Sequence, residues 1–454
     1  MAKLIIAGGG LSGLSLAWFL RELRPGWEIL VLEAGARSGG KAWTIKEEGF
    51  VCEKGVNGVL DNKPSTLALA ARLGLDPLRS NDAARRRFVI RNGQLFQLPV
   101  SPLQFLNSKI LSFPGRLRVV AEALVSKGDM SKDESLADFA RRRLGREAFQ
   151  YLIDPMATGI YAGDPERLSL RSCFPRIHEL ERDYGSLIRA MIKLQREAKK
   201  KGKKGPGAGP GGVLTSFTTG MNELVDALVR ALGPAIRLNS SVASISRNNN
   251  GWRVYLQDGK EFESSHVVLA CPAKAVSEVL KETAPDIVKL AKQIHYPPVS
   301  IVCMGIKQGT TDNSLNGFGF LAPGVEKRSI LGSLWDSSIF PNRAPEGYQL
   351  TRTLVGGARA PDLAMLPDSP LLDLVVKEFT ELVGLKSGPE FVKIFRWNEA
   401  IPQYERGHHA LASEIDFALS SYPGLYIRCN WLGGVSLNDS IANSQRLAEQ
   451  LASL

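Results

Sequence analysis

What most constrains this chain is a glycine run near its start, Gly8-x-Gly10-x-x-Gly13, set between a short apolar stretch and a helical one. Lys3 to Ala7 predicts a strand that ends in glycines, and Leu11, Leu14, Leu16, Ala17 and Leu20 then fall mainly on one helical face. Pro25 and Gly26 stop that helix, and Glu28 to Glu33 (EILVLE) predicts the next strand, completing a βαβ unit. In this setting the backbone N–H groups of Gly8 to Gly13, including Gly9, Leu11 and Ser12, are placed to face a pyrophosphate at a helix start. Gly10 lets the chain approach the phosphates, and Gly13 lets helix meet strand. Glu33, at the end of the second strand, is placed to accept hydrogen bonds from the ribose hydroxyls of an adenosine. The pattern predicts a dinucleotide site.

A length of 454 residues predicts two or three folded units. With 44% hydrophobic and 23% charged residues the chain can bury a large core. No stretch approaches the roughly 18 to 20 uninterrupted apolar residues of a spanning helix. The net charge of +11 favours an anionic partner: nucleic acid, a phospholipid surface or a carboxylate-rich substrate. Nucleic acid is the least favoured, because no zinc-finger spacing, RNP-like aromatic motif or heptad-bearing basic helix occurs. Cys52, Cys173, Cys271, Cys303 and Cys429 are far apart and form no C-x-x-C pair, so neither a disulfide framework nor a zinc site is expected. The five histidines show no metal-ligand spacing. The start MAKLIIAGGG is far short of a secretory signal, which places the chain in the cytosol or on its membrane face.

Further along, Gly251 to Leu256 and Glu261 to Leu269 predict a hairpin around Asp258-Gly259, and Leu425 to Ile427 followed by Leu437 to Leu451 predicts a strand and a closing helix. The first and last segments are expected to share one sheet. Between Pro99 and Met191 the pattern is helical. One helix there is expected to be capped by Ser131 or Asp133, to carry Arg141, Arg142 and Arg143 in its last turn, and to end at Gly145. Lys199 to Gly212 (KKKGKKGPGAGPGG) predicts a flexible basic loop. Leu103 to Val125 mixes leucine, phenylalanine and basic residues in an interrupted amphipathic pattern, which suits a membrane interface as well as a core helix.

The stretch Glu33-Ala34-Gly35-Ala36-Arg37-Ser38-Gly39-Gly40 resembles the E-x-x-x-R-x-G-G extension of the flavin amine-oxidase superfamily, which separates FAD from NAD sites. Lys41 stands where many members have arginine, and Glu53 to Gly58 resembles the superfamily segment that runs under the flavin. ATGIYAGDPERLSLRSCFPRI (Ala157 to Ile177), NGFGFLAP (Asn316 to Pro323), LGSLWDSSIFPNRAP (Leu331 to Pro345), TLVGGAR (Thr353 to Arg359), FRWNEAIPQYERGH (Phe395 to His408) and NWLGGVSLNDSIAN (Asn430 to Asn443) look like the signature segments of the protoporphyrinogen IX oxidase family, in collinear order over nearly the whole chain.

The resemblance implies an enzyme of haem synthesis that oxidises a porphyrinogen by hydride transfer to FAD, with dioxygen as acceptor. FAD contacts are implied for Gly8 to Gly13, Glu33, Ala34, Lys41, Gly55, Val56, Asn57, Gly58, Val242, Trp397, Asn430, Val435, Ser436 and Leu437. Arg87 matches an arginine that pairs with a substrate propionate, and its neighbours Arg85 and Arg86 remain alternatives. Leu321, Leu334 and Leu354 match apolar positions that sandwich the tetrapyrrole, and Gly159 a glycine close to it. A porphyrinogen is a broad apolar macrocycle with carboxylate arms, so leucines and an arginine fork suit it. Cys429 and Ser436 replace glycines common in relatives and are expected to crowd the flavin.

The expected fold is α/β. A discontinuous doubly wound FAD-binding domain takes residues 1–85, 213–285 and 415–454, and a sheet-rich substrate domain takes 86–98 and 286–414. Residues 99–212 form a helical, membrane-associating insert. The implied location is peripheral, on the cytoplasmic face of an inner membrane, and a homodimer is left open. The rival readings are coproporphyrinogen III oxidase, an amine oxidase or carotenoid desaturase, and a non-catalytic FAD-binding relative.

Overall fold

The computed structural model describes residues 2–200 and 212–454. β1 (Ala2–Ala7), α1 (Leu11–Leu23) and β2 (Ile29–Leu32) form the expected βαβ unit, with Leu4 opposite Ile29 and Ala7 opposite Leu32 in parallel register. β1 also pairs in parallel with Glu261–Leu269, which pairs in turn with Leu425–Ile427, so the first and last segments do share a sheet. Ile236–Arg237 extends it beyond β2, while Val242–Asn248 and Gly251–Leu256 add an antiparallel meander whose second turn is the expected Asp258-Gly259.

Alternate side chains of β1 enter two different cores. Leu4 and Ile6 pack with α1, Asn222–Leu232 and Leu437–Ala452, whereas Ile5 and Ala7 pack with Ala273–Val279, Pro285–Ala291 and His408–Leu419. Covering both faces is what makes the parallel strands apolar at every position. This is the doubly wound α/β arrangement.

A second sheet runs in the order Phe391–Trp397, Val299–Lys307, Tyr348–Gly356, Gly332–Leu334, Gly319–Leu321, Arg87–Arg91, Gln94–Gln97. Helix Asp368–Val383 covers one face through Val302, Met304, Ile306, Phe320 and Val355. The opposite face receives Phe50 and Cys52 of the strand Phe50–Glu53, which pack on Ile301, Cys303, Leu350, Phe391 and Phe395. The two sheets are therefore joined through the segment that follows the dinucleotide motif.

Residues 102–200 are helical. The cap of Leu136–Leu144 differs from expectation: Ser135, not Ser131 or Asp133, accepts the Asp138 N–H (3.0 Å). Asp133 is drawn away by tertiary contacts, accepting from Ser169 Oγ (2.6 Å) and Gly407 N (2.7 Å), and Ser131 donates to Asp129. Gly145, at φ 91°, ends the helix as expected. Leu187–Lys200 is helical to its last residue, so Lys199 and Lys200 do not belong to the predicted loop, and residues 201–211 of that loop lie outside the described residues. Among the described residues no helix is long and apolar enough to cross a membrane.

This lobe is organised by Arg143, which is fully buried. Its guanidinium pairs with Glu122 (2.5 Å) and Glu181 (3.5 Å) and donates to the carbonyls of Val125, Ser126 and Gly185. Glu122 also accepts from Ser186 Oγ and the backbone N–H of Leu187 and Ile188. Arg142 also holds Glu181 (2.8 Å), so removing Arg143 leaves the buried Glu122 carboxylate without a cation, a loss of about 3–5 kcal/mol. Arg143→Met is expected to make residues 99–200 susceptible to limited proteolysis at a temperature where the parent is resistant; equal resistance would contradict this role.

Candidate active site

The N-terminus of α1 begins at Gly10 without a side-chain cap and without an acid in its first turn, so its leading N–H groups keep their capacity for an anion. The glycines divide by purpose. A Cβ at Gly13 would lie 2.0 Å from Gly8 O and 3.1 Å from Ile6 Cγ2, which is the close meeting of helix and strand, whereas at Gly10 the nearest atom would be 3.9 Å away. Gly10 thus leaves space on the side where a phosphate has to come. Beside it the Ser38 hydroxyl is buried without a hydrogen-bond partner among the described residues. These features fit a bound dinucleotide.

Glu33 accepts from Gly9 N (2.7 Å) and Gly35 N (2.8 Å), which fixes its carboxylate and leaves lone pairs for hydroxyl donors. The N–H groups of Asn239 and Ser240 donate to the carbonyls of Gly35 and Glu33, and Val242 opens the strand just beyond that tie. Ala34 is exposed next to Glu33. Arg37 does not reach outward: it donates to the carbonyls of Gly40 and Ala42 and lies over the Trp43 ring at 4.1 Å.

The segment Glu53 to Gly58 is held by the second sheet. Arg352 donates to the carbonyls of Gly55 (2.8 Å) and Glu53 (3.3 Å), and Trp397 Nε1 donates to that of Lys54 (2.6 Å). Arg352 Nε also lies 3.3 Å from Asp336 Oδ2, and Asn57 Nδ2 donates to Asp336 Oδ1 (3.1 Å). Burial pushes the Asp336 carboxyl up, against the opposing pull of Arg352 and Arg343. Gly55 passes against Lys41, where a Cβ would lie 2.1 Å from the Lys41 carbonyl, and Gly58 passes against Thr215 in the same way at 2.6 Å. Val56 between them stays partly exposed.

Strand register decides which predicted substrate residues share a face. Leu321 lies opposite Gly332, which lies opposite Leu354, and Leu334 lies opposite Arg352 and Gly319, which lies opposite Arg87. Partners and residues two apart point the same way, so Arg87, Leu321, Leu334 and Leu354 stand on one face, the one that receives Phe50 and Cys52. All three leucines remain partly exposed, while Phe320 (2%) and Val355 (0%), on the opposite face, are closed in by the helix. Gly159 sits against this surface: a Cβ there would come within 2.9 Å of Leu321 Cδ2. Asp154 holds the helix of Gly159 in place through Arg359 (2.7 Å) and Gly324 N (2.6 Å).

The three adjacent arginines separate. Arg85 pairs with Asp82 in solvent, and Arg86 donates to the Asn316 carbonyl (3.0 Å) and to its side chain. Arg87 is half-buried over the Phe318 ring (4.8 Å) and has no carboxylate partner among the described residues. Burial lowers its pKa.

On the C-terminal side, Tyr404 Oη donates to Asn430 O (2.7 Å) and accepts from Gly434 N (2.9 Å), shaping the turn that leads to Val435 and Leu437. Ser436, at φ −74°, needs no glycine, and its hydroxyl accepts the Asp439 N–H as the cap of the last helix. It is therefore engaged in the helix start. Cys429 is partly buried beside Asn430, and desolvation pushes its thiol up. Lys41 places its ammonium on the carbonyls of Glu399 (2.6 Å) and Ala400, and burial lowers it to about 8.

Ser38, Asp336 and Arg352 were not singled out in the sequence. Ser38 had a usable signal, its place inside the E-x-x-x-R-x-G-G run; Asp336 and Arg352 lie within matched segments, but their ties to the Glu53–Gly58 loop span the two sheets.

Residues 11–449 match the flavin containing amine oxidoreductase family, and the chain belongs to that family. It is similar to the coproporphyrinogen III oxidase of Bacillus subtilis (strain 168), at 30% identity over 96% of this chain and 95% of that protein. It is equally similar to the chloroplastic protoporphyrinogen oxidase of Oryza sativa subsp. japonica, at 32% identity over 99% and 88%. A solved structure from Exiguobacterium sp. 255-15, provisionally named a protoporphyrinogen oxidase, superposes with a TM-score of 0.85 at 26% identity, covering 100% of this chain and 99% of that one.

Beneath the loop, Glu53 is fully buried and accepts from Thr44 Oγ1 (2.9 Å) and Met221 N (2.8 Å). Burial pushes it from 4.5 to about 7, despite the Met221 N–H and Arg343. Because the folded value is the higher, its contribution to stability is full below about 4.5 and is lost as the pH rises through about 7. Glu53→Gln is expected to flatten the fall in melting temperature across that window, and an unchanged pH profile would contradict it.

Proposed function

We propose that this chain is an FAD-dependent oxidoreductase that converts protoporphyrinogen IX to protoporphyrin IX in haem synthesis, with dioxygen as acceptor. Bound FAD supplies the hydride acceptor. The chain's own residues bind and orient. The α1 N-terminus and Glu33 take the pyrophosphate and ribose, and the Glu53–Gly58 loop underlies the ring. Leu321, Leu334 and Leu354 offer apolar contact to a flat macrocycle, Gly159 leaves room for it, and Arg87 clamps a propionate at the edge. The observation that carries this reading is Arg87: a half-buried guanidinium without an acid, beside three partly exposed leucines on the sheet that holds the loop.

Coproporphyrinogen III is the second reading, favoured by the similarity to the Bacillus subtilis protein. Anaerobic bleaching of the flavin and porphyrin fluorescence, measured with each porphyrinogen, separate the two. The protoporphyrinogen is expected to be preferred, and clear preference for the coproporphyrinogen would overturn that choice. Arg87→Ala is expected to raise KM about tenfold or more, the worth of one charge-assisted hydrogen bond, at unchanged FAD content. An unaltered KM would contradict the clamp.

The division proposed is an FAD-binding unit of residues 1–85, 213–285 and 415–454, a substrate unit of 86–98 and 286–414, and a helical unit of 99–212 that docks on the cytoplasmic face of a membrane. In support, Leu103, Leu106, Phe113, Leu117, Val120 and Leu124 of the helical unit are each more than half exposed, Leu124 to 83%. Lys109 and Arg116 lie among them in sequence and Lys127 follows them, a pairing of apolar and basic residues that suits an anionic interface. Co-sedimentation with phosphatidylglycerol vesicles at low salt is expected, and weaker pelleting for Leu117→Glu with Leu124→Glu. Absence of pelleting would refute it.

A further inference from the structure

A cavity of about 460 Å³ lies among the strand Leu425–Ile427, the end of the helix His408–Leu419 and the helix Leu437–Ala452, and it shares no lining residue with the leucine face or the glycine motif. The strand is an edge: among the described residues it pairs only with Glu261–Leu269. Gly424 O accepts from Val267 N (2.8 Å) and Arg428 N donates to Leu269 O (3.0 Å), so Ile427, at the alternate position, turns its peptide groups away from that neighbour and along the cavity wall. The volume is that of a small-molecule pocket, far more than an inorganic ion fills.

Two guanidinium groups line the cavity, Arg428 half-buried and Arg446 exposed. Neutral oxygens hold both: Arg428 Nη2 donates to Leu432 O (2.9 Å), and Arg446 Nη2 donates to Asn443 Oδ1. Asn443 donates in turn to Gly433 O (2.9 Å), and a Cβ on Gly433 would lie 2.8 Å from Asn443 Nδ2 and 3.4 Å from Arg428 Nη2, so one turn sets the place of both arginines. Among the described residues neither forms an ion pair, although Asp416 lines the same cavity. Burial lowers the Arg428 pKa, and the Arg446 charge acts in the same direction, against Cys429, Tyr404 and Asp416. A guanidinium carries five N–H donors, and these contacts occupy one on each. Two fixed cations with spare donors recognise an oxyanion through charge-assisted hydrogen bonds. Asp416 repels an anion and accepts from a hydroxyl, so the remainder of the ligand has to bring that donor.

We propose that this cavity is a second ligand site, separate from the flavin and the leucine face, that takes a small hydroxylated organic anion, with its phosphate or carboxylate group on Arg428 and Arg446 and its hydroxyl on Asp416.

The test is isothermal titration calorimetry of the FAD-loaded full chain at low ionic strength, with glycerol 3-phosphate as the phosphate probe and citrate as the carboxylate probe. Bound FAD keeps both off the pyrophosphate position. Saturable binding of at least one probe is expected, and the tighter of the two names the anion. Arg428→Gln and Arg446→Gln are each expected to weaken it about tenfold, the worth of one charge-assisted hydrogen bond. Arg176→Gln, which breaks an exposed ion pair with Glu179 in the helical lobe, is expected to leave it unchanged. Asp416→Ala is expected to reduce the preference for glycerol 3-phosphate over inorganic phosphate, and a preference kept in full overturns the place given to the hydroxyl. Absence of saturable binding by both probes overturns the proposal, as does an equal loss in Arg176→Gln, which marks a response to net charge alone. Arg446 is exposed, so if Arg428→Gln does not fold, an unaltered affinity in Arg446→Gln is the overturning result.

Discussion

Arg352 ties the second large sheet to the loop that follows the strand Phe50–Glu53. Its guanidinium takes the carbonyls of Glu53 and Gly55 from one strand of the second sheet, and Trp397 takes the carbonyl of Lys54 from another. Three consecutive carbonyls are thus satisfied by side chains of a different sheet. Buried carbonyls must find donors, so the path of the loop is dictated by where that sheet stands. The distance between the nucleotide motif and the leucine face follows from this contact, since both are referred to the same few atoms.

The junction is polar in a place where apolar packing would be simpler. Glu53, Asp336, Arg343 and Arg352 are all buried: Glu53 accepts from Thr44 and the Met221 N–H, Asp336 faces Arg352, and both arginines donate to backbone carbonyls. Replacing such pairs by hydrocarbon is often neutral for stability, so their presence is better explained by direction than by strength. Hydrogen bonds have angles, and the ones here set the orientation of a loop. The leucine face does the opposite job: it is non-directional, broad and only partly closed.

The first βαβ unit, the Asp258-Gly259 hairpin and the closing strand and helix were legible because each is local: periodicity, glycines and turn residues lie within a few positions of one another. The cap of Leu136–Leu144 was expected at Ser131 or Asp133 and falls on Ser135, because Asp133 bonds to Ser169 and Gly407, far along the chain. The residue types of the site were legible through resemblance. Which of Arg85, Arg86 and Arg87 stays unpaired was not, because it depends on Asp82, Asn316 and a parallel register with Gly319. The role of Ser436 as the cap of the last helix is local, with Asp439 three residues on, yet was not anticipated.

The central claim is geometric: a flavin ring on the Glu53–Gly58 loop, facing a flat ligand laid on Leu321, Leu334 and Leu354 with its carboxylate at Arg87. A crystal structure of the chain with FAD and a dicarboxylate tetrapyrrole measures this directly. The account predicts the macrocycle against those three leucines and a carboxylate within hydrogen-bond distance of the Arg87 guanidinium; a ligand bound elsewhere, or a leucine face closed by side chains with Arg87 turned to solvent, would contradict it.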